Sequence, residues 1–513
     1  MSDHATGLPL FRDPGQPLDA RADDLLARLT LREKVGQLNQ SLMSWKLWER
    51  RRGAVGFHRA FDEENDRWGG LGAIHSMLRA DAWTGRDWSN GAHPEWSAEL
   101  VAAAQERVVA ASRFGIPALI TEEAGHGHQA LGARLLPALI AMAASWRPDL
   151  VEEAAAHTAA EVRARGVNLA LAPGLDILRD PRWGRSEECF GEDPLLASCF
   201  VRALVRGFQS VPGVGVQLKH FAAQGAGTGG RNGSGAAIGR RELEELHLPA
   251  AAAAVAEGVV SFMAAYNDID GVPCIADEWL LTTKLRQEWG FEGVVMADMF
   301  AVDRMFWFAP DPVDAALLAL RAGCDLSNMD TAFSHIERGV LDGRIPVDLV
   351  DRACRRVLRL KLQLGLLDPP AEPARFAPAP AETDLVAAGP VLLQNRGDLL
   401  PLPATARLAV VGPNADDVPA LLGDYVPPLA PGEGTSVLAG LRARYPRVTH
   451  ALGSDLIEPV DGGLEAAVAA AAAADVAVVV VGSSSARGYD DDFTENGANL
   501  VTHRRAHATA GEG

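Results

Sequence analysis

The sequence predicts an α/β protein, a (β/α)8-like TIM barrel followed by a partial α/β sandwich domain. From about residue 71 to residue 366, short apolar runs alternate with longer stretches of helical period. Acidic or basic residues follow most of these runs. Runs with apolar residues on both faces are typical of parallel strands buried under helices, and so long an alternation favours a barrel over an open sheet. A Pro/Ala-rich segment and a new set of apolar runs then predict the second domain.

Six apolar runs are predicted strands, and a weaker seventh lies near Asp325–Leu326. The six are Leu71–Ile74, Ala118–Thr121, Val167–Ala172, Val214–Leu218, Val259–Ala264 and Gly293–Ala297. Helix start signals lie between them. Asp149 precedes the helical stretch 151–165, and Pro194 and Pro312 stand where a first helical turn tolerates proline.

The chain divides into three predicted parts: a barrel over 1–366, a linker over 367–383 and a second α/β unit over 384–513. In that unit, Arg407–Gly412 and Val476–Gly482 are predicted parallel strands, and Leu464–Ala474 is a predicted helix. Ser483–Gly513 is interpreted as a polar tail. A sheet that stops so soon has an unpaired edge, so we expect the second domain to be truncated.

Composition narrows the function classes. The 513 residues contain 48 Lys and Arg against 67 Asp and Glu, a net charge of −19. This negative field disfavours nucleic acid and anionic membrane surfaces as partners. Five cysteines without CxxC spacing indicate neither a disulfide framework nor a zinc site. With no signal-peptide pattern and no membrane-spanning run, the expected location is cytoplasmic.

Charged residues are predicted to converge at the barrel mouth. Asp298 ends one strand run, Lys219 and His220 end another, and Glu123 ends a third. The loop after the strand run Val167–Ala172 adds Arg179, Arg182 and Arg185. Taken alone, Asp298 is better explained as a helix cap, and the arginine loop as a salt-bridged turn. Together they suit a site that binds hydroxyl groups and controls carboxylate charge.

Two nearby patterns have simpler interpretations. The sequence Gly-His-Gly-His at 125–128 has the side chains of a metal site, but no Cys/His cluster lies near it, so no metal is predicted. The glycine-rich run 225–233 lacks the Gly-Lys-Ser/Thr ending of a phosphate loop. We interpret it as a flexible loop over the site.

Five long motifs, in order, resemble glycoside hydrolase family 3. They are GIPALITEEAGHG (115–127), APGLDILRDPRWGRSEECFGEDP (172–194), LKHFAAQG (218–225), MAAYNDIDGVPC (263–274) and EWGFEGVVMADMF (288–300). The segment GPVLLQNRGDLLPL (389–402) resembles the start of the family's second domain. The resemblance implies a retaining exo-β-glycosidase that acts on non-reducing ends of β-glucosides or β-xylosides, without a cofactor or metal.

The resemblance also implies roles for single residues. Asp298 matches the nucleophile. Glu512, in Ala-Gly-Glu-Gly at the end of the sequence, is the candidate acid/base. Arg185 and Glu188 match residues that support the loop rather than touch sugar. The residues matching the sugar site are Glu123, Arg179, Lys219, His220, Met263 and Tyr266.

Two departures from the family pattern bear on function. Met299 replaces the aromatic residue that usually follows the nucleophile, which removes a stacking surface near the leaving group. The other departure concerns the acid/base. The family's acid/base glutamate comes from within the second domain, whereas Glu512 lies in the last three residues of this sequence. A truncated sugar-binding homologue and an N-acetyl-β-glucosaminidase therefore stay open as alternatives, although the 225–235 loop lacks the histidine expected of the latter. The expected partner is a small-molecule or oligosaccharide β-glycoside, and a homodimer whose copies complete each other's sites is compatible with the sequence.

Overall fold

The computed structural model of the protein describes residues 9–369, 381–495 and 497–500. Its strands are β1 (Trp48–Arg51), β2 (Ala54–Phe57), β3 (Ala73–His75), β4 (Leu119–Glu123), β5 (Leu169–Ala172), β6 (Gly215–Phe221), β7 (Ser261–Ala264), β8 (Asp268–Ile269), β9 (Val272–Pro273), β10 (Val294–Ala297), β11 (Arg407–Val411), β12 (Arg447–Ala451), β13 (Val476–Val479), β14 (Asp492–Phe493) and β15 (Asn499–Leu500).

The α-helices lie between these strands and around them. They are α1 (Leu18–Arg28), α2 (Leu31–Gln37), α3 (Arg59–Trp68), α4 (Ser97–Ala111), α5 (Leu139–Ala144), α6 (Pro148–Ala164), α7 (Pro194–Gln209), α8 (Arg240–Glu242), α9 (Pro249–Ala256), α10 (Pro312–Ala322), α11 (Ile336–Leu341), α12 (Val347–Gln363), α13 (Ala381–Ala388), α14 (Val418–Leu422), α15 (Val437–Arg444) and α16 (Gly463–Ala472). Leu243–His247 and Trp279–Glu288 are π-helical. Among the described residues, no helix combines the length and apolar composition needed to cross a bilayer.

Six parallel strands form the sheet of the first domain, in the order β3-β4-β5-β6-β7-β10. Every residue of these six strands is buried. Burial on both faces explains why the strands read as continuous apolar runs. The six strand predictions are confirmed, with shifts of a few residues at the ends.

Irregular backbone closes this sheet into a ring. Leu326 bridges β10 in parallel, at the site of the weak seventh run. The amides of Ser327 and Met329 then donate to carbonyls within segment 36–40, at 3.0 and 2.7 Å. Gly72, just before β3, donates to the same segment at 3.1 Å. Six strands and two irregular positions thus surround the core, and the prediction of a (β/α)8-like barrel is confirmed.

The second domain has a smaller parallel sheet, in the order β12-β11-β13. Strands β11 and β13 and helix α16 confirm the predicted elements, and β12 is the third strand. Helix α13 begins at Ala381, within the predicted linker, and Leu385 on it belongs to the barrel core. Most of that linker, 370–380, lies outside the described residues.

The segment after β13 contradicts the prediction of a polar tail over its described part. The Ser485 hydroxyl donates to Glu187 of the barrel at 2.6 Å, and the Tyr489 hydroxyl donates to the Arg86 carbonyl at 2.9 Å. Arg487 forms an ion pair with Asp424. The polar residues that suggested a solvated tail therefore contact the barrel and the second domain, a pairing that no local pattern encodes.

Candidate active site

A pocket lies at the carboxyl ends of the barrel strands. Both domains contribute to it. Its lining residues are Arg79, Trp83, Glu123, Arg185, Lys219, His220, Asn232, Met263, Tyr266, Asp298, Met299, Tyr425, Arg487, Gly497 and Ala498. Seven of the eight predicted site residues fall on described positions, and six of those seven line the pocket.

Asp298 follows β10 directly and is buried. Its Oδ1 accepts the Met299 amide at 2.8 Å. Its Oδ2 accepts no hydrogen bond from any described residue and lies 4.0 Å from His220 Nε2. Burial raises the pKa of Asp298 to about 6, while Arg185, Lys219 and Arg304 oppose that rise. The carboxylate is thus ionised at neutral pH and has one oxygen free to react.

A bulge explains why Lys219 and His220 both reach the pocket. Successive side chains of a regular strand point to opposite faces. The pairing of β6 with β7 shifts between Leu218 and Phe221, at the two residues concerned. Bulges re-aim side chains in this way and are frequent next to active sites. A Lys-His dipeptide therefore presents both side chains at one mouth.

Lys219 and Glu123 form a buried ion pair, with Nζ 2.7 Å from Oε2. Burial opposes ionisation of Glu123, but Lys219 and Arg79 outweigh it and lower the pKa of that carboxyl. Glu123 is therefore ionised, in a buried ion pair with Lys219. Charged hydrogen-bonding groups of this kind bind sugar hydroxyls strongly and with defined geometry.

His220 is held between two partners. Nδ1 lies 2.8 Å from Asp176 Oδ2, and Nε2 lies 2.9 Å from Arg185 Nη2. Burial, with Arg185 and Lys219, holds the pKa of His220 well below its ordinary value, so the ring is neutral. The Asp176 carboxylate fixes a proton on Nδ1, and Nε2 accepts from the guanidinium.

Arg185, rather than the predicted Arg179, is the arginine of its loop that lines the pocket. Arg179 is exposed and does not line it. Arg185 is buried, pairs with both oxygens of Glu188 at 2.6 and 2.8 Å, and also donates to the hydroxyls of Tyr266 and Tyr425, each at 3.2 Å. The sequence could not show which of the three arginines between residues 179 and 185 enters the pocket, because they differ only in their burial in the folded protein. The supporting role predicted for Glu188 fits this pairing, whereas Arg185, for which the same role was predicted, lines the pocket itself.

The glycine-rich loop after β6 lies at the site, as predicted. Its Asn232 donates to the Tyr266 hydroxyl at 2.5 Å and accepts from Trp183 Nε1 at 3.1 Å. The Arg304 guanidinium lies 4.3 Å from the Tyr266 ring centroid. Tyr266 and Met263, which is on β7, form one wall of the pocket.

Residues beyond the barrel complete the opposite wall, and the sequence analysis missed all of them. Tyr425 of the second domain is buried, with its ring centroid 4.4 Å from Lys219 Nζ, a cation–π distance. Arg487 donates to the Gly497 carbonyl at 2.7 Å. A side chain at Gly497 would lie 2.7 Å from the Trp83 ring, so only glycine fits there.

Glu512, the candidate acid/base, lies outside the described residues, so its role stays a prediction. Among the described pocket residues, Asp298 and Glu123 are the ones with carboxyl groups, and Glu123 is paired with Lys219.

The first histidine of the Gly-His-Gly-His sequence connects the two domains. His126 contacts the carbonyls of Leu136 and Asp424, at 2.9 and 2.6 Å.

Comparison with known proteins decides the family. Residues 30–360 match the model of the glycosyl hydrolase family 3 N terminal domain, and residues 390–509 match that of its C-terminal domain. The chain belongs to glycosyl hydrolase family 3. The resemblance found in the sequence motifs is therefore confirmed.

Relatives in this family include two bacterial enzymes. The periplasmic beta-glucosidase of Salmonella typhimurium is 31% identical over 445 residues, 83% of this chain and 54% of its own length. A beta-xylosidase of Formosa agariphila is 33% identical over 409 residues, 70% of this chain and 55% of its own length. The chain thus spans about half the length of these family 3 relatives.

Solved structures of the family share the fold. A β-glucosidase from Erythrobacter marinus superposes with a TM-score of 0.81 at 34% identity, covering 93% of this chain and 67% of that one. A beta-glucosidase from Listeria innocua, in complex with glucose, gives a TM-score of 0.77 at 28% identity, covering 91% and 64%. Both comparisons extend over the barrel and the second domain.

Proposed function

We propose that this family 3 protein is a retaining exo-β-glycosidase that releases glucose or xylose from the non-reducing ends of β-glycosides. The observation that carries the proposal is the free oxygen of Asp298. Its Oδ2 accepts no hydrogen bond from the described residues, and the pocket around it is lined with charged side chains suited to binding sugar hydroxyls. The names of the relatives, β-glucosidases and β-xylosidases, support these two sugars.

In the proposed mechanism, Asp298 Oδ2 attacks the anomeric carbon. The C–O bond to the leaving group breaks, and its oxygen takes a proton from the acid/base. Water then attacks the glycosyl–Asp298 ester, the acid/base accepts the water's proton, and the sugar leaves with its original configuration. We propose Glu512 as that acid/base. Its support is the Ala-Gly-Glu-Gly match alone, and the family's mechanism requires about 5–5.5 Å between the two carboxyl groups.

The remaining pocket residues hold the sugar. Lys219, Glu123 and Arg185 are buried charged groups, and charged groups form strong hydrogen bonds to hydroxyls. Their fixed partners keep these side chains in one geometry, which positions the anomeric carbon over Asp298. A pocket closed by both domains suits a single terminal sugar, and this supports exo action.

Activity is expected to fall at acidic pH with an apparent pKa near 6. Asp298 must be ionised to attack, and its pKa is raised to about 6, so protonation below that pH removes the nucleophile. The value of kcat/KM should drop about tenfold per pH unit below the limb. An aryl glycoside with a good leaving group makes the measurement independent of the acid.

A variant tests whether Asp298 is the group that titrates. Arg304→Gln removes a cation that lowers the pKa of Asp298, so the acidic limb of this variant should move to higher pH. The same change at exposed Arg182, which pairs with Asp180, is the control and should not move it.

Covalent trapping tests the proposal directly. The protein is incubated with 2-fluoro-β-glucosides and 2-fluoro-β-xylosides that carry activated leaving groups, and intact mass and peptide mapping follow. An adduct on Asp298 is expected, because such leaving groups depart with little help from an acid. The faster-reacting sugar identifies the substrate. Folded protein that forms no adduct would overturn the proposal and favour a sugar-binding homologue.

The other open expectations also have simple tests. The N-acetyl-β-glucosaminidase alternative predicts cleavage of N-acetyl-β-glucosaminides, and the described 225–235 loop, which contributes Asn232 to the site and contains no histidine, gives it no support. Cytoplasmic location and a homodimer stay predictions. Cell fractionation and light scattering measure them.

A further inference from the structure

Arg79 lines the sugar pocket, and the sequence analysis gave it no role. It is 2% exposed and follows β3, the strand beside β4. Its backbone is held on both sides. The Leu78 amide donates to Glu122 Oε1 at 2.7 Å, and the Ala80 amide donates to the Gln129 carbonyl at 3.1 Å. Arg79 is therefore fixed in position before a sugar binds.

The guanidinium of Arg79 is bound along one edge and has an N–H group left over on the other. Nε lies 2.8 Å and Nη2 lies 2.7 Å from the same oxygen of Asp81. Asp81 also accepts the Thr84 amide at 2.8 Å and the Gln129 side chain at 2.9 Å, so the ion pair is rigid. Nη1 is buried and has no hydrogen-bond partner among the described residues. Because the guanidinium is planar, Nη1 is directed away from Asp81.

The surroundings of this N–H group suit a hydroxymethyl group. A buried charged donor without an acceptor costs free energy, and the oxygen of a bound hydroxyl supplies that acceptor. The ring centroids of Trp83 and Tyr425 lie 4.8 and 5.4 Å from the central carbon of the guanidinium. Arg79 thus offers one donor beside aromatic surface, which matches one hydroxyl on one methylene.

The order of strands around the barrel gives the direction in which a sugar lies. From β10, the strands β7, β6 and β5 lead one way to β4. The other way, Leu326, the segment 36–40 and β3 lead to β4. Strand β4, which ends in Glu123, is therefore opposite β10, which precedes Asp298. A pyranose whose C1 faces Asp298 has C4 on the Glu123 side.

The two sides of the mouth between these points differ. Lys219 and His220 of β6 and Arg185 after β5 lie on one side, and the barrel contributes Arg79 and Trp83 after β3 on the other. A pyranose has one edge with hydroxyls on C2 and C3, and one edge formed by C5 and the ring oxygen. The edge with two hydroxyls matches the side with three polar groups. The C5 edge, which carries C6 in glucose, then faces Arg79.

We propose that Arg79 Nη1 donates to the hydroxyl on C6 of the bound sugar and makes glucose preferred over xylose. Xylose has no C6, so it leaves this buried donor unpaired. A site built to hydrogen-bond a substrate hydroxyl discriminates strongly against the analogue that lacks it. The inference rests on the proposed function, because it takes Asp298 to face C1. Relatives of the chain are named for both sugars, and Arg79 selects between them here.

Dinitrophenyl β-glycosides of glucose, 6-deoxyglucose and xylose test this. Release of dinitrophenol in the first turnover is measured as a second-order rate constant, because this leaving group departs with little help from an acid. The 6-deoxy sugar keeps C6 and lacks only its hydroxyl. The glucoside should react about 10- to 150-fold faster than the 6-deoxyglucoside, the range for losing a hydrogen bond to a charged group. The xyloside should be at least as slow as the 6-deoxyglucoside. Equal rates for the glucoside and the 6-deoxyglucoside would overturn the proposal.

Variants assign the effect to Arg79. Arg79→Met should slow the glucoside to near the rate of the 6-deoxyglucoside, so that their ratio approaches one, whereas a merely structural loss would slow both equally. Arg185→Met, on the other side of the mouth, is the matched control. It should slow all three glycosides and keep the ratio, because they share the same C2 and C3 hydroxyls. Arg79→Met combined with Asp81→Asn serves if the single variant does not fold, since it leaves no carboxylate buried alone. A ratio that survives the loss of Arg79 would overturn the proposal.

The two proposals fail in different ways. If no glycoside reacts with folded protein and Asp298 is not trapped by the 2-fluoro sugars, the sugar site itself is wrong. If Asp298 is trapped but the C6 hydroxyl or the loss of Arg79 has no effect on the ratio, only the role of Arg79 is wrong.

Discussion

Asp298→Ala is expected to lower kcat/KM for aryl β-glycosides by on the order of 10⁴-fold or more, the range seen when an essential catalytic residue is removed. The reason is the loss of the group that forms the covalent intermediate. The fold should survive, since the one hydrogen bond lost is from the Met299 amide to Oδ1. Steady-state kinetics with a nitrophenyl glucoside and xyloside measure the effect.

Two further measurements make this result specific. Added azide should restore cleavage in the Asp298→Ala variant and yield a glycosyl azide of inverted configuration, because a small anion fits the space of the missing carboxylate. Asp342→Ala, at a surface ion pair with Arg338, should retain full activity. Activity in Asp298→Ala that matches the unmodified protein would remove Asp298 as nucleophile.

Arg185→Met is expected to lower kcat/KM by about 10²–10³-fold, as for other charged groups that stabilise a transition state. Arg185 donates to His220 and to two tyrosine hydroxyls of the pocket, so its loss disorders three sugar-facing groups. It also leaves Glu188 buried without its partner, which should cost about 3–5 kcal/mol of unfolding free energy. Kinetics and denaturant unfolding measure the two effects.

Matched variants separate activity from stability. Arg179→Met, at the exposed arginine of the same loop, should leave both quantities nearly unchanged. Arg185→Met combined with Glu188→Gln should recover much of the stability, since no charge stays buried alone, while activity stays low. A larger loss of activity from Arg179→Met than from Arg185→Met would contradict the arrangement of this loop.

The barrel was predictable because its signals are local. Runs such as 214–218 and 293–297 are apolar on both faces, and burial of the strands on both sides requires such runs. Asp298, Lys219, His220 and Glu123 follow the runs directly, and parallel strands bring their carboxyl ends to one mouth. Closure by 36–40 and 326–329 was only partly visible, since irregular backbone has no period to detect.

The sequence by itself determined the family, the barrel, the second α/β unit and six residues of the pocket, because strand periodicity and long ordered motifs are written along the chain. Only the tertiary structure decided that Arg185 and not Arg179 enters the site, and that Tyr425 and Arg487 close it from beyond the barrel. The physical reason is that burial and contacts across hundreds of residues depend on how the two domains pack. Local sequence patterns carry no information about that packing.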